Sequence, residues 1–350
     1  MKLPAVAALA ALALSASVAG TASAAARPGG LEGIPHLDHV VVLVEENESE
    51  ATTFGPGSPA QYLNSLQAKG VFDPQYFGTG HVSLDNYIAM VSGQPGNGLT
   101  NSDCETVSLY TCAQSTRLFA NGRHLGDQLD EAQVTWKSYM DGTSTPCFHG
   151  PYSSRPPAVF APDPYQGNSQ AAPGYDYADR HNPFIYFPDF VGDEDRCAAH
   201  QRPIDELATD VAADTLPAFS FITPDTCHDG HDAPCANGQP GGLVSADAWL
   251  RQHVPALLKY LNRHNGLLAI VFDEAEPPDS GPCSQCVSGG LGGQVGALFL
   301  SRHLPQGTVV DAPYDHDSLL RTIEDSFGIS EHLNLADRAA PMTSVFAGYH

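Results

Sequence analysis

A chain of 350 residues that is 42% hydrophobic carries enough apolar side chain for a substantial core, while 28 prolines and 33 glycines imply long ordered loops between short elements. A formal charge of −24 with only 16 lysines and arginines argues against a nucleic-acid partner, because binding a phosphate backbone relies on clustered cations. The surplus of acids suits a metal site, although most acids on an exported chain serve solubility.

In chain order, the first feature is Lys2 followed by an apolar run from Ala5 to Val18 and the small-residue stretch Ala22-Ser23-Ala24. This is the pattern of a cleaved secretory signal over residues 1–24, so the mature chain is expected to be secreted and extracellular. No later stretch is long and apolar enough to predict stable membrane insertion. The rest is expected to form a single domain over residues 34–346, without repeats. Apolar runs predict strands over 39–44, 217–222, 267–272 and 294–300, and mixed segments predict helices over 59–68, 84–91 and 246–263. Near-continuous runs such as Val40-Val41-Val42-Leu43-Val44 belong to strands buried on both faces, which gives an α/β fold with a central, mainly parallel sheet flanked by helices. Residues 142–188, rich in Pro, Gly, Ser and Tyr, look like an extended insertion over that sheet.

Eight cysteines in an exported chain favour disulfides. Cys104 and Cys112, Cys227 and Cys235, and Cys283 and Cys286 lie close in sequence, leaving Cys147 and Cys197, though sequence alone does not determine connectivity. A redox or zinc reading of Cys283-Ser-Gln-Cys286 has no second such pair to support it.

Polar residues just after apolar strands are the first place to look for chemistry in such a sheet. Glu45-Glu46-Asn47-Glu48-Ser49 follows the first strand and Asp273-Glu274-Ala275-Glu276 a later one, both oxygen-rich clusters suited to a hard divalent cation. Ser83 stands at the start of a predicted helix. It is a natural N-cap, and equally a nucleophile placed where a helix terminus stabilises an anion. The loop Thr223 to Asp232 holds two His-Asp pairs, His228-Asp229 and His231-Asp232, beside a cysteine, a density suited to metal binding or proton transfer.

Taken together, these segments resemble the phosphoesterase family that includes secreted acid phosphatases and bacterial phospholipases C, related to the alkaline phosphatase superfamily. Glu46-Asn47-Glu48-Ser49 is similar to its Glu-Asn-x-Ser motif, and His81-Val82-Ser83-Leu84-Asp85-Asn86-Tyr87 to a His-Pro-Ser-Leu-Pro-Asn-Tyr segment, with Val82 and Asp85 in place of the prolines. Arg180-His181-Asn182-Pro183-Phe184 resembles a His-Asn-Pro-Phe element, Cys227 to Asp232 a Cys-x-Asp-x-His-Asp segment, and Asp273-Glu274 a strand-end Asp-Glu. Tyr314 to Asp325 resembles a signature helix with a mostly structural task.

The resemblance implies an alkaline-phosphatase-like fold with disulfide-stapled loops and a phosphate ester substrate. It implies a divalent metal ion of undetermined identity held by Glu46, Asn47, Ser83, Asp232, Asp273 and Glu274. Ser83 is expected to attack in line to form a phosphoserine, with His181, His228 or His231 protonating the leaving alcohol. Two alternatives stand beside a phosphomonoesterase. One is a phospholipase C, for which Phe184, Ile185, Tyr186 and Phe187 would supply either an apolar lip or a plain strand. The other is a non-catalytic secreted protein stabilised by metal. Oligomeric state is not legible.

Overall fold

The computed structural model describes Met1 and residues 29–104, 107, 109–149, 176–276 and 281–350. The predicted secretory signal and most of the predicted insertion therefore lie outside the described residues.

Ten strands are present among the described residues: β1 (His39–Glu45), β2 (Val71–Asp73), β3 (Tyr76–Phe77), β4 (Trp136–Met140), β5 (Gln201–Pro203), β6 (Phe219–Thr223), β7 (Gly266–Phe272), β8 (Ala297–Leu300), β9 (Thr308–Val309) and β10 (Tyr314–Asp315). Eight form one sheet in the order β5-β4-β6-β1-β7-β8-β2-β9, and β10 pairs with β3. β1 lies between β6 and β7, parallel to both, with Val40 opposite Phe219 and Leu267. The pairs β4–β5, β4–β6 and β2–β9 are also parallel. β8 runs antiparallel to β7 and β2.

Every residue of β7 is buried. Because successive side chains of a strand point to opposite faces, both faces of the sheet must be covered. One helix group joins Gly242–Leu261 to Gln61–Leu66 and Asp205–Ala213; another packs His316–Ser326 against Ser83–Ser92. The expected α/β architecture is present, with element ends moved by a few residues. Four disulfides join the pairs 104–112, 147–197, 227–235 and 283–286.

The described end of the predicted insertion packs over the sheet: 3-10 turns over Asp179–His181 and Pro183–Tyr186 lie on helix Ser83–Ser92, with Phe184 against Trp136 of β4 and Phe221 of β6. One expectation is corrected. Phe184, Ile185, Tyr186 and Phe187 are each 0% exposed, so they form neither an apolar lip nor a strand. All four are core: Phe184 packs on Trp136 and His124, and Phe187 on His124, an environment that four consecutive apolar residues reach without strand periodicity.

Candidate active site

The parallel strands β1, β4, β6 and β7 deliver their carboxyl ends to one edge of the sheet, where open α/β sheets bind ligands. β1 ends at Glu45, and the buried Glu46 follows. Asn47 turns the chain with φ 51°, a left-handed conformation that asparagine tolerates. Its backbone N–H donates to Asp273 Oδ1 at 3.0 Å and its Nδ2 to Glu46 Oε2 at 2.9 Å. β7 ends at Phe272, so Asp273 arrives beside Glu46 and the two carboxyls adjoin. Behind them His316 Nε2 meets the Asp273 carbonyl at 2.6 Å and its Nδ1 meets the Tyr76 hydroxyl at 3.0 Å. This supporting contact suits the structural task expected for the 314–325 segment.

Ser83 is the first residue of its helix, not the cap. The cap position is Val82, whose φ of 128° and ψ of 148° are strained for a β-branched residue and closed to proline. Val82 has no side-chain oxygen to cap the helix, and Asp103 Oδ1 accepts the Leu84 N–H at 2.9 Å instead. Ser83, one place inside the helix, has no capping task, and its hydroxyl donates to Glu46 Oε2 at 3.2 Å. Glu274 holds the lead-in to the helix: Oε1 accepts from Val82 N at 3.2 Å and Oε2 contacts His81 Nδ1 at 2.7 Å. The expected ligand Glu274 thus also braces the turn that leads into Ser83.

His181 is buried, stacked on Tyr87 with ring centroids 5.2 Å apart and planes 7° apart. Its Nε2 lies 3.3 Å from Glu46 Oε1 and its Nδ1 3.2 Å from Asp229 Oδ2. In the loop after β6, Asp232 does not point free oxygens at a metal. Its Oδ1 holds His231 Nδ1 at 2.9 Å and its Oδ2 accepts from Thr226 Oγ1 at 3.1 Å. His231 is thereby oriented, its ring 6.1 Å from that of His181. His228 belongs to a different group: its Nδ1 lies 2.6 Å from Asp225 and 3.9 Å from Asp141. The contact with Asp225 raises its pKa.

Two residues went unassigned in the sequence. Asp229 faces His181 and its carbonyl accepts the Glu46 N–H at 2.7 Å. Arg180 is 3% exposed, and its positive charge acts on Glu46, Asp229 and Glu274. The signal was adjacency: each stands next to a motif histidine.

Burial, then the neighbouring Asp273 and Asp229, holds Glu46 well above the usual carboxylate range. Asp273 is pushed up to about 6, chiefly by burial. Burial, Arg180 and His231 hold the His181 imidazole well below its ordinary range, in the neutral form. Three buried oxygens, Glu46 Oε1, Asp229 Oδ2 and Asp273 Oδ2, receive no well-formed hydrogen bond from the described residues. Carboxyls this costly to ionise together are relieved by a nearby cation, and an all-oxygen donor set suits a hard divalent one. The residues present thus fit a metal ion. Two further groups have donor atoms within 4.8 Å of one another, His124–Asp127–Asp189 and Asp141–Asp225–His228. Arg196 already neutralises the first by binding both of its carboxylates.

The sequence matches the phosphoesterase family over residues 58–330. The chain belongs to that family. Among relatives of this phosphoesterase, a phosphatidylinositol-3-phosphatase of Mycobacterium tuberculosis is 27% identical over 313 residues, covering 89% of this chain and 84% of the relative. A probable acid phosphatase of Kluyveromyces lactis is 25% identical, covering 85% of this chain and 61% of its own, and a phosphate-repressible acid phosphatase of Penicillium chrysogenum is 26% identical, covering 80% and 57%. The chain thus spans less than two thirds of those fungal relatives. Among solved structures, an alkaline phosphatase superfamily protein of Vibrio parahaemolyticus superposes with TM-score 0.53 at 13% identity, covering 84% of this chain and 67% of that one. The lipoteichoic acid synthase LtaP of Listeria monocytogenes gives 0.53 at 9%, covering 85% and 74%. The fold is that of the alkaline phosphatase superfamily protein, and membership of the phosphoesterase family makes the chain a hydrolase of phosphate esters. No helix among the described residues is long and apolar enough to cross a membrane.

Proposed function

We propose that the chain is an exported, metal-dependent phosphomonoesterase that works through a phosphoserine on Ser83. The observation that carries the reading is the Ser83 hydroxyl, which stands at a helix N-terminus without capping it and donates to Glu46 Oε2 beside Asp273. Glu46, Asn47, Asp273 and the Ser83 hydroxyl would hold the cation. When bound, that ion supplies positive charge that favours the alkoxide and draws electrons from the phosphoryl group. Glu46 orients the Ser83 hydroxyl and takes up its proton. The helix terminus and the buried Arg180 guanidinium bind the phosphoryl oxygens. His231, oriented by Asp232, gives its proton to the departing alcohol oxygen, and water later attacks phosphorus along the reverse path. The neutral His181 keeps Glu46 and Asp229 in place, while His228 serves the loop. Export is supported by the residue 1–24 pattern and the four disulfides.

The test is hydrolysis of p-nitrophenyl phosphate by wild type and Ser83→Ala, with and without chelator, over acidic to alkaline pH. Expected are loss of turnover by about a thousandfold or more in Ser83→Ala and loss on chelation. Full activity in Ser83→Ala removes the serine from the mechanism, and full activity under chelation removes the metal.

A further inference from the structure

Beside the catalytic turn lies a cavity of about 670 Å³ whose lining includes His81, Asp85, Gln94, Asn101, Ser288 and Asp317. His81 and Asp85 stand two residues on either side of Ser83, so the segment carrying the nucleophile forms part of the cavity wall. Two lining side chains are buried yet have no hydrogen-bond partner among the described residues. Gln94 is 1% exposed and neither Oε1 nor Nε2 makes a hydrogen bond; Asp317 is 0% exposed and neither carboxylate oxygen makes one. An orphaned buried polar atom costs about 1–3 kcal/mol, and orphaned groups on a cavity wall point to a ligand that completes them.

The unmet bonds specify that ligand. Gln94 Oε1 accepts and Gln94 Nε2 donates, while Asp317, whose carboxyl burial holds well above the usual carboxylate range, can do both. A bare cation would leave Gln94 Nε2 unmet, and an anion, which only accepts, would leave Gln94 Oε1 unmet. No Phe, Tyr or Trp is among the lining residues, so a quaternary ammonium has no aromatic face to bind, and an acyl chain could lie on Val287, Leu291 and Leu335 but would leave the orphaned side chains unmet. Hydroxyl groups both donate and accept, so a molecule carrying several of them meets both side chains. We propose that this cavity is the leaving-group subsite and takes a polyhydroxylated alcohol, so that the substrates are polyol or sugar monophosphates; the assignment of substrate rests on the phosphomonoesterase reading above.

The test variant is Gln94→Met, which keeps the side-chain volume and removes the orphaned amide. Ligand-observed NMR with free myo-inositol, D-glucose and glycerol, which needs no turnover, is expected to show binding to wild type and its loss in Gln94→Met, while the melting temperature of the variant equals or exceeds that of wild type. In kinetics, the ratio of kcat/KM for glucose 6-phosphate and glycerol 2-phosphate to that for p-nitrophenyl phosphate is expected to fall about tenfold. Asp317→Asn serves as the second variant, with the same direction expected. No polyol binding by wild type, or an unchanged ratio in both variants, overturns the subsite. Absence of any phosphatase turnover with polyol binding intact would sink the phosphomonoesterase reading and leave a polyol-binding cavity standing.

Discussion

At Ser83 two uses of one hydroxyl compete: closing the helix it begins, or reaching the carboxylate of Glu46. The helix-start propensity of serine is visible in the sequence, but the helix begins at Ser83 itself with Val82 in the cap position, which leaves the hydroxyl to Glu46. A true side-chain cap appears where none was expected, at His124, whose Nδ1 accepts from Gly126 N at 3.0 Å and must therefore be unprotonated. Its Nε2 lies 3.6 Å from Asp127 and 3.7 Å from Asp189, with Asp130, Arg196 and His200 also nearby. Burial outweighs these carboxylates and lowers the imidazole to about 4 from its ordinary 6.5. The unfolded chain thus binds this proton at higher pH than the folded one. The stability at stake is present in full above pH 6.5 and lost as pH falls toward 4, by on the order of 3 kcal/mol. His124→Asn retains a cap acceptor and does not titrate, so denaturant midpoints measured across that window should flatten in the variant; equal acid slopes would dismiss His124 as the cause.

Among the elements, those that were legible are those whose whole length carries one signal. β7 reads Gly-Leu-Leu-Ala-Ile-Val-Phe and was expected almost to the residue. β4, Trp-Lys-Ser-Tyr-Met, was missed because Lys137 interrupts it; its ammonium leaves the sheet to pair with Asp210 at 2.5 Å. Nor did any local pattern mark the segment that backs Asp273. There Gly78 N donates to Gly293 O at 2.9 Å, and Gly292 N donates to Gly78 O at 3.1 Å. A Cβ on Gly78 would come within 2.6 Å of the Asp273 carbonyl oxygen and 3.1 Å of Gly292 Cα. Gly78→Ala must therefore shift the Asp273 backbone or the Gly78 segment against it. We expect a loss of about 1–3 kcal/mol in unfolding free energy and a larger proportional loss in turnover. Gly98→Ala, where nothing lies within 4 Å, is the control. Parallel behaviour of the two variants in melting and rate assays would show that the close approach is not needed.

Over the whole molecule, the disulfides differ in what they constrain. Cys147–Cys197 spans 50 residues, whereas Cys283–Cys286 spans 3. On the chain-entropy account the longer loop contributes about 4 kcal/mol and the shorter about 2 kcal/mol. Replacing each pair by alanines and comparing urea midpoints should rank them in that order, and the reverse ranking would mean that local strain or residual structure in the unfolded chain dominates.

Composition, the two strand-end acid clusters and the motif order by themselves determined the α/β class, the family and the serine worth testing, because buried parallel strands write uninterrupted apolar runs and the residues that follow them emerge at one edge. Tertiary structure alone decided how the site residues divide their tasks. Glu274 braces a strained turn, Asp232 orients His231, His228 joins Asp225, and Arg180 and Asp229 enter the site. Those assignments depend on which side chain reaches a given oxygen first across loops far apart in the chain, and on which oxygens burial leaves without a donor. Neither quantity is written in the spacing of residues along a sequence.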